Sequence, residues 1–106
     1  MPWSVGYHDA AADELADQPA DIRAKLDYVV DLVRTFGLQR LPAKYTRHLQ
    51  DLIWEFPLKG KDGIARALYV TAHGQRIIVV RVFTKKTQKT PGREIKLALK
   101  RAKEVT

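Results

Sequence analysis

Residues 52–83 hold three extended runs in succession, joined by links too short for anything but antiparallel pairing. In the first run Leu52, Trp54, Phe56 and Leu58 alternate with Ile53 and Glu55, the period of two that marks a strand. Pro57, near its end, implies an edge position or an early stop, because proline cannot donate to a ladder. The tract Lys59-Gly60-Lys61-Asp62-Gly63 reads as a turn with glycines at positive φ. Ile64–Thr71 and Arg76–Phe83 then form two β-rich runs separated by Ala72-His73-Gly74-Gln75, a hairpin signal. A parallel connection needs a crossover of a dozen or more residues, so these three strands form an antiparallel meander. Ile77-Ile78-Val79-Val80 is apolar on both faces, as in a central strand.

Helices flank the meander. Trp3, Val5 and Tyr7 alternate with Ser4 and Gly6, a short strand over Pro2–Tyr7. Asp9 is placed to cap an Ala-rich helix running to about Asp17, and Pro19 breaks or restarts it. From Asp21, apolar Ile22, Leu26, Val29, Val30 and Val33 follow a helical stripe that ends at Gly37, a C′ glycine. Such a stripe is core by default. Residues 38–50 lack a sustained period and read as a loop with one helical turn near Tyr45–Leu49. Thr90 and Pro91 suit the cap and first position of a last helix. That helix packs Ile95, Ala98, Leu99 and Ala102 and exposes Lys96, Lys100, Arg101 and Lys103. The order β-α-α-β-β-β-α predicts one α+β domain over residues 1–106, a small antiparallel sheet with the two N-terminal helices on one face.

Charge narrows the function. The chain of 106 residues carries 19 Lys and Arg against 12 Asp and Glu, a net charge of +7. Seven of the acids fall in residues 1–35, a balance of −4, whereas residues 36–106 stand at +11. There is no cysteine, hence no disulfide framework, thiol nucleophile or Cys-ligated zinc. His8, His48 and His73 share no ligand spacing, so no metal site and no cofactor are expected. No GxxxxGK[ST] or dinucleotide fingerprint occurs, and the only serine is Ser4, in the first strand. The apolar runs fall far short of the ~20 residues of a membrane helix, and the N-terminus lacks the pattern of a signal peptide. No membrane partner is expected, and a cytoplasmic location is.

What remains is cations. Arg66 and Arg81 each sit in mid-strand, where a guanidinium loses hydration unless it meets water, a carboxylate or a partner. By alternation Arg66 shares a face with Ile64, Leu68 and Val70, and Arg81 with Ile77, Val79 and Phe83. An ion pair with Glu55 or with an acid of the first helices is the structural alternative for these arginines, more so for Arg81 than for Arg66. Lys59, Lys61, Lys85, Lys86 and Lys89 crowd the loops at the ends of the same sheet. Together with Tyr45, Trp54, Tyr69 and Phe83 they suit a phosphate-bearing polymer, since guanidinium forks bind phosphate in bidentate fashion and lysines add field.

Trp54-Glu55-Phe56, Gly63-Ile64-Ala65-Arg66-Ala67-Leu68-Tyr69, Val79–Phe83 with the following Thr84-Lys85-Lys86-Thr87-Gln88-Lys89-Thr90-Pro91, and Glu94-Ile95 with Ala98–Ala102 resemble, in order, the RelE/ParE toxin superfamily. The resemblance is closest to its HigB-like, phage-derived branch and covers nearly the whole chain. It implies the toxin of a type II toxin–antitoxin pair, with a RelE-like fold, a helix-turn-helix (HigA-like) antitoxin as partner, and mRNA on the ribosome as substrate. It implies a metal-independent endoribonuclease in which the 2′-OH attacks the adjacent phosphate. Such a reaction needs a base, charge to stabilise the phosphorane and an acid for the 5′-oxygen. Arg66 falls on the family's phosphate-stabilising strand arginine, and Lys85 and Lys86 on its second cationic position. A lysine crowded by cations has a lowered pKa and can move a proton.

The chain also departs from the branch. Pro57 replaces an arginine, with Lys59 as the candidate substitute, and Arg81 stands where a histidine is common. The catalytic candidates are therefore Arg66, Lys85, Lys86 and Glu55, with Lys59, Lys61, Arg81, Lys89 and His48 as RNA contacts; Glu55, His48 and a lysine are the candidates for general base. A ParE-like inhibitor of DNA gyrase and a non-enzymatic nucleic-acid or partner-binding module are the other readings.

Overall fold

The computed structural model describes residues 2–85 and 88–106. Strand β1 (Ser4–Tyr7) leads into helix α1 (Asp9–Ala16) and helix α2 (Ala20–Phe36). Two 3-10 turns, Leu38–Arg40 and Ala43–Tyr45, precede β2 (Arg47–Gln50), β3 (Ile53–Lys59), β4 (Ile64–Ala72) and β5 (Arg76–Thr84), and α3 (Gly92–Val105) closes the chain. The class is the expected α+β, with the expected meander as β3, β4 and β5.

The sheet has five strands in the order β1-β5-β4-β3-β2. It contains one more strand than the sequence pattern indicates, and one pairing of the other sense. β2, read as loop and helical turn, pairs antiparallel with β3 through Arg47↔Glu55 and His48↔Trp54. Four polar or half-buried residues at an edge leave no hydrophobic period to detect. β1 runs parallel to β5, from Ser4↔Arg76 to Tyr7↔Val79. The whole chain between them provides the crossover that a parallel pair requires. β2 covers β3 only as far as Glu55, so Pro57 lies on a locally open edge, as its missing N–H requires.

Both faces are covered. α1 and α2 bury Ala11, Ile22, Leu26, Val29 and Val33 against Phe56, Leu58, Tyr69 and Val79. The Phe56 and Tyr69 rings stack here with centroids 4.0 Å apart. Burial pushes the Tyr69 hydroxyl up to about 12, opposed by its hydrogen bond with Thr46. α3 packs Ile95, Ala98 and Ala102 on the other face, against Leu68, Val70, Val80 and Phe83. A bulge explains how β5 serves both. Leu68 pairs with Arg81 but Tyr69 with Val79, leaving Val80 as an extra residue. The alternation therefore shifts: Ile77, Val79 and Val82 face α1 and α2, whereas Ile78, Val80 and Phe83 face α3. Strict alternation placed Phe83 with Ile77 and Val79, and the bulge moves it to the opposite side.

Local chemistry corrects two caps and keeps a third. His8, rather than Asp9, caps α1, its Nδ1 accepting from the Ala10 N–H at 3.0 Å, while Asp9 is the first helical residue. Thr90 does not cap α3; Pro91 occupies that position without a side-chain bond. Gly37 ends α2 as expected, at φ +88, a left-handed conformation that favours glycine.

In the β3–β4 turn, neither Gly60 nor Gly63 uses positive φ. Gly60 is instead a close approach: a Cβ there would lie 2.7 Å from Asp21 Oδ2 and 2.8 Å from Ile22 Cδ1. The same Asp21 oxygen accepts the Lys61 N–H at 2.7 Å, clamping the turn to α2. Gly60→Ala is expected to destabilise the fold by about 1 kcal/mol, because Asp21 must give up that bond to make room. Gly63→Ala, with open space around it, is expected to stay within about 0.5 kcal/mol of the parent. Urea denaturation of both variants checks the contrast.

Candidate functional site

The site is built around one strand arginine. In the β3–β4 register Pro57 lies opposite Arg66 and Glu55 opposite Leu68, so Glu55 and Arg66 are diagonal neighbours on one face of the sheet. Arg66 is 3% exposed and Glu55 0%. Arg66 Nη1 donates to Glu55 Oε2 and, at 3.1 Å, to Thr90 Oγ1, and its Nη2 donates to the Gln88 carbonyl at 2.9 Å. The Thr90 hydroxyl donates in turn to Glu55 Oε1 at 2.9 Å, and Arg47 Nη2 lies 2.7 Å from Glu55 Oε2. Both carboxylate oxygens are thus engaged, by two guanidinium groups and a hydroxyl. Arg66 Nε is buried without a partner among the described residues. A buried ion pair is tolerated when further hydrogen bonds support it, and here Arg47, Thr90 and the Gln88 carbonyl do so for the Glu55 oxygens and both Arg66 Nη atoms.

Lys85 stands beside this pair. Its N–H donates to the Ile64 carbonyl at 2.7 Å, extending the β4–β5 ladder by one residue, and its Nζ lies 3.4 Å from Gln88 Oε1. Desolvation, then the charges of Arg66 and Arg47, hold the Lys85 ammonium below the ordinary lysine value, against a smaller pull upward from Glu55. Arg66 and Lys85 form the common wall of two clefts. One, of about 460 Å³, continues along Arg81, Lys89, Arg93 and Glu94. The other, of about 330 Å³, continues along Lys59, Pro57, Tyr45, Lys44 and Lys25.

The remaining candidates fall in different places. Arg81 lines the first cleft but is held by two acids, with Nη1 2.6 Å from Glu14 Oε2 and Nε 2.7 Å from Glu94 Oε1. The structural alternative of an ion pair to an early helix is thus present, through Glu14. Glu94 raises the Arg81 pKa, against its burial. Lys89 lies on the first cleft, Lys59 on the second. Lys61 lines neither and sits on the turn held by Asp21. His48 is on β2, its ring 4.9 Å from that of Trp54 and its Nε2 2.9 Å from the Asp51 carbonyl, where it braces the β2–β3 turn. Lys86 lies outside the described residues.

Arg47, Thr90 and Glu94 belong to the site and were not singled out as site residues by the sequence, whereas Tyr45, named there among the aromatics, lines the second cleft. Arg47 sits on the strand that had no period, and Thr90 looked like a helix cap. Arg101, expected on the exposed side of α3, points inward: it donates to Glu14 Oε1 at 2.8 Å and to the Val80 carbonyl at 3.0 Å. β1 ends opposite Val79, and beyond that point Glu14 accepts the Val82 N–H at 3.1 Å, so this carboxylate and Arg101 satisfy the open edge at the bulge. Among the described residues no group of three or more His, Cys, Asp or Glu side chains is placed to hold a metal ion, and no helix is long and apolar enough to cross a membrane.

Comparison with known proteins agrees with this architecture. Residues 13–103 match the family described as phage-derived protein Gp49-like (DUF891). No curated protein matches the chain. Among solved structures, a mutant of the E. coli toxin RelE in the free state superimposes with a TM-score of 0.64 at 19% identity, over 95% of this chain and 98% of that one. The chain belongs to the phage-derived Gp49-like family, a RelE/HigB-like family, and its fold is that of RelE.

Two stability outcomes follow from the charge network. Removing either partner of the buried pair, by Glu55→Ala or Arg66→Ala, is expected to cost about 3–5 kcal/mol, whereas Arg47→Ala, at a 54% exposed side chain, is expected to cost less than about 1 kcal/mol. Denaturant titration at neutral pH measures both. Burial opposes ionisation of Glu14, but bonds from Arg101, the Val82 N–H and Arg81 outweigh it and hold the carboxyl below its usual 4.5. A group lowered in the folded state stabilises the protein above the unfolded value and ceases to do so as pH falls through the folded one. The stability gap between the wild type and Glu14→Gln should therefore be full at neutral pH and shrink below about pH 4.5. A pH-independent gap would remove Glu14 from the ionic network.

Proposed function

We propose that this chain is a RelE-type toxin of a type II toxin–antitoxin pair that cleaves mRNA, acting in the cytoplasm on the ribosome and silenced by a helix-turn-helix antitoxin. The observation that carries the reading is the placement of a buried, fully oriented Arg66 directly beside Lys85, on the wall shared by two cation-lined clefts. Family membership and the RelE fold support it.

In the reaction proposed, the 2′-oxygen of one nucleotide attacks the adjacent phosphorus while its proton leaves to water. The bond from phosphorus to the 5′-oxygen breaks, giving a 2′,3′-cyclic phosphate. Lys85, with its lowered pKa, gives a proton to the departing 5′-oxygen. The cation of Arg66 faces the charge that builds on the phosphorane oxygens, and preorganised charge of this kind usually contributes most to the catalysis of phosphoryl transfer. Lys86 is carried as a second cation on the strength of the sequence resemblance. Glu55 is buried with both oxygens engaged, by Arg66, Arg47 and Thr90, and in this reading its role is to hold Arg66. His48, engaged with Asp51 and Trp54, is assigned to the turn.

Lys85 is the informative residue, because it is only half-buried and its removal leaves the Glu55–Arg66 pair intact. Lys85→Ala is expected to lower mRNA cleavage on programmed ribosomes by about 10²–10⁴-fold, the range for a positioned acid, with the fold unchanged by circular dichroism. In the wild type, activity should fall with rising pH at a value below 10.5, the ordinary lysine value, and that limb should vanish in Lys85→Ala. Growth arrest with intact mRNA, together with loss of DNA supercoiling by purified gyrase, would instead favour the gyrase-inhibitor reading.

A further inference from the structure

The two clefts differ in how their cations are answered. On the first, Arg81 is neutralised by Glu14 and Glu94, and Glu94 itself lines the wall. On the second, no carboxylate lines the wall, and Lys25, Lys44 and Lys59 form no ion pair among the described residues. The second cleft is therefore lined by cations with no carboxylate among them, whereas the first carries Glu94 among Arg66, Arg81, Lys85, Lys89 and Arg93. That cleft, at about 330 Å³, falls within the roughly 300–1,000 Å³ range of small-molecule sites.

It also holds an aromatic ring. Tyr45 ends a 3-10 turn, its N–H bonded to the Pro42 carbonyl at 3.0 Å, and the edge of Tyr28 meets it at a centroid distance of 6.1 Å. The Lys25 and Lys44 ammonium groups lie 5.4 and 5.1 Å from its centroid. These are loose contacts made by flexible stems, which a phosphate can draw away. An aromatic platform bordered by unpaired lysines is the arrangement by which proteins hold single-stranded nucleic acid: the ring stacks on a base and the lysines follow the backbone.

We propose that the second cleft is a nucleotide subsite of the cleavage centre. Tyr45 stacks on the base of a nucleotide flanking the scissile phosphate, and Lys44 and Lys59 hold its phosphates. The proposal rests on the reading of this chain as an RNA-cleaving protein and adds to it where the strand lies and which ring it meets. It makes Tyr45 a binding residue, with no part in proton transfer. An acidic protein segment is the competing occupant, and continuity with Arg66 and Lys85 favours RNA.

The test is binding of a short fluorescent 2′-O-methyl RNA, which cannot be cleaved, to the purified chain, in parallel with a ribosome cleavage assay on ordinary mRNA. Tyr45→Ala should weaken binding by about 5- to 100-fold, the range for loss of one base stack, while Tyr45→Trp retains it. An RNA made abasic at each position in turn should show one position where the wild type loses the same factor and Tyr45→Ala loses nothing more. Lys44→Ala and Lys59→Ala should each reduce the slope of log affinity against log salt by about 0.7, with Lys103→Ala as an unchanged control.

If the wild type binds and cleaves but Tyr45→Ala binds as tightly, or loses the same factor against every abasic RNA, the subsite is overturned and the cleavage reading stands. If polyglutamate displaces intact and abasic RNA alike, the cleft is a general anion trough and the proposal falls. If the wild type neither binds nor cleaves, both readings fall together.

Discussion

The buried pairing of Glu55 with Arg66 is the interaction around which the rest of the site is arranged. Two charges taken out of water are destabilising unless every donor and acceptor finds a partner. The fold answers all of them but Arg66 Nε by bringing four separate segments to one point: β3 contributes Glu55, β4 contributes Arg66, β2 contributes Arg47, and the stretch before α3 contributes the Gln88 carbonyl and Thr90. An arginine fixed in this way loses little further freedom when a phosphate arrives, which is what preorganised electrostatic stabilisation requires. Lys85 takes its place from the same ladder, one residue beyond β5, and its lowered pKa reflects desolvation first and then the charges of Arg66 and Arg47 close by.

The acidic front of the chain acquires a structural meaning. Glu14 lies between Arg81 and Arg101 and accepts the Val82 N–H where β1 no longer covers β5. Asp21 clamps the β3–β4 turn against α2. Part of the −4 of the first 35 residues is thus directed inward, onto cations of the +11 remainder. The consequence is a division of labour among the basic residues. Arg81 and Arg101 tie helices to the sheet, whereas Lys25, Lys44, Lys59 and Lys85 leave positive charge on an open surface.

Strong periods were legible in the sequence and weak ones were not. The α2 stripe, the three strands of the meander and the Gly37 stop follow from apolar spacing and backbone preference, and they stand where expected. β2 was missed because Arg47-His48-Leu49-Gln50 has no hydrophobic face to reveal. The bulge at Val80 was invisible because Ile77-Ile78-Val79-Val80 is apolar throughout, so its pattern cannot report a shift in alternation. At the site, Arg66 was legible as a cation in mid-strand, and Lys85 as one of the lysines crowding the loops at the end of the sheet. The Thr90 contact was not, because a threonine before a proline and a helix fits a cap just as well. Nor was the direction of Arg101, whose inward turn depends on where Glu14 sits in space.

In the proposed reaction Arg66 and Lys85 face a phosphate under attack by its own 2′-hydroxyl, and that chemistry leaves a signature on its products. The end groups of mRNA fragments produced by the purified protein on programmed ribosomes, read by mass spectrometry, report it. Attack by the 2′-hydroxyl predicts upstream fragments ending in a 2′,3′-cyclic phosphate and downstream fragments beginning with a 5′-hydroxyl. Fragments ending in a 3′-hydroxyl with a 5′-phosphate on the other side, or mRNA left intact, would contradict it.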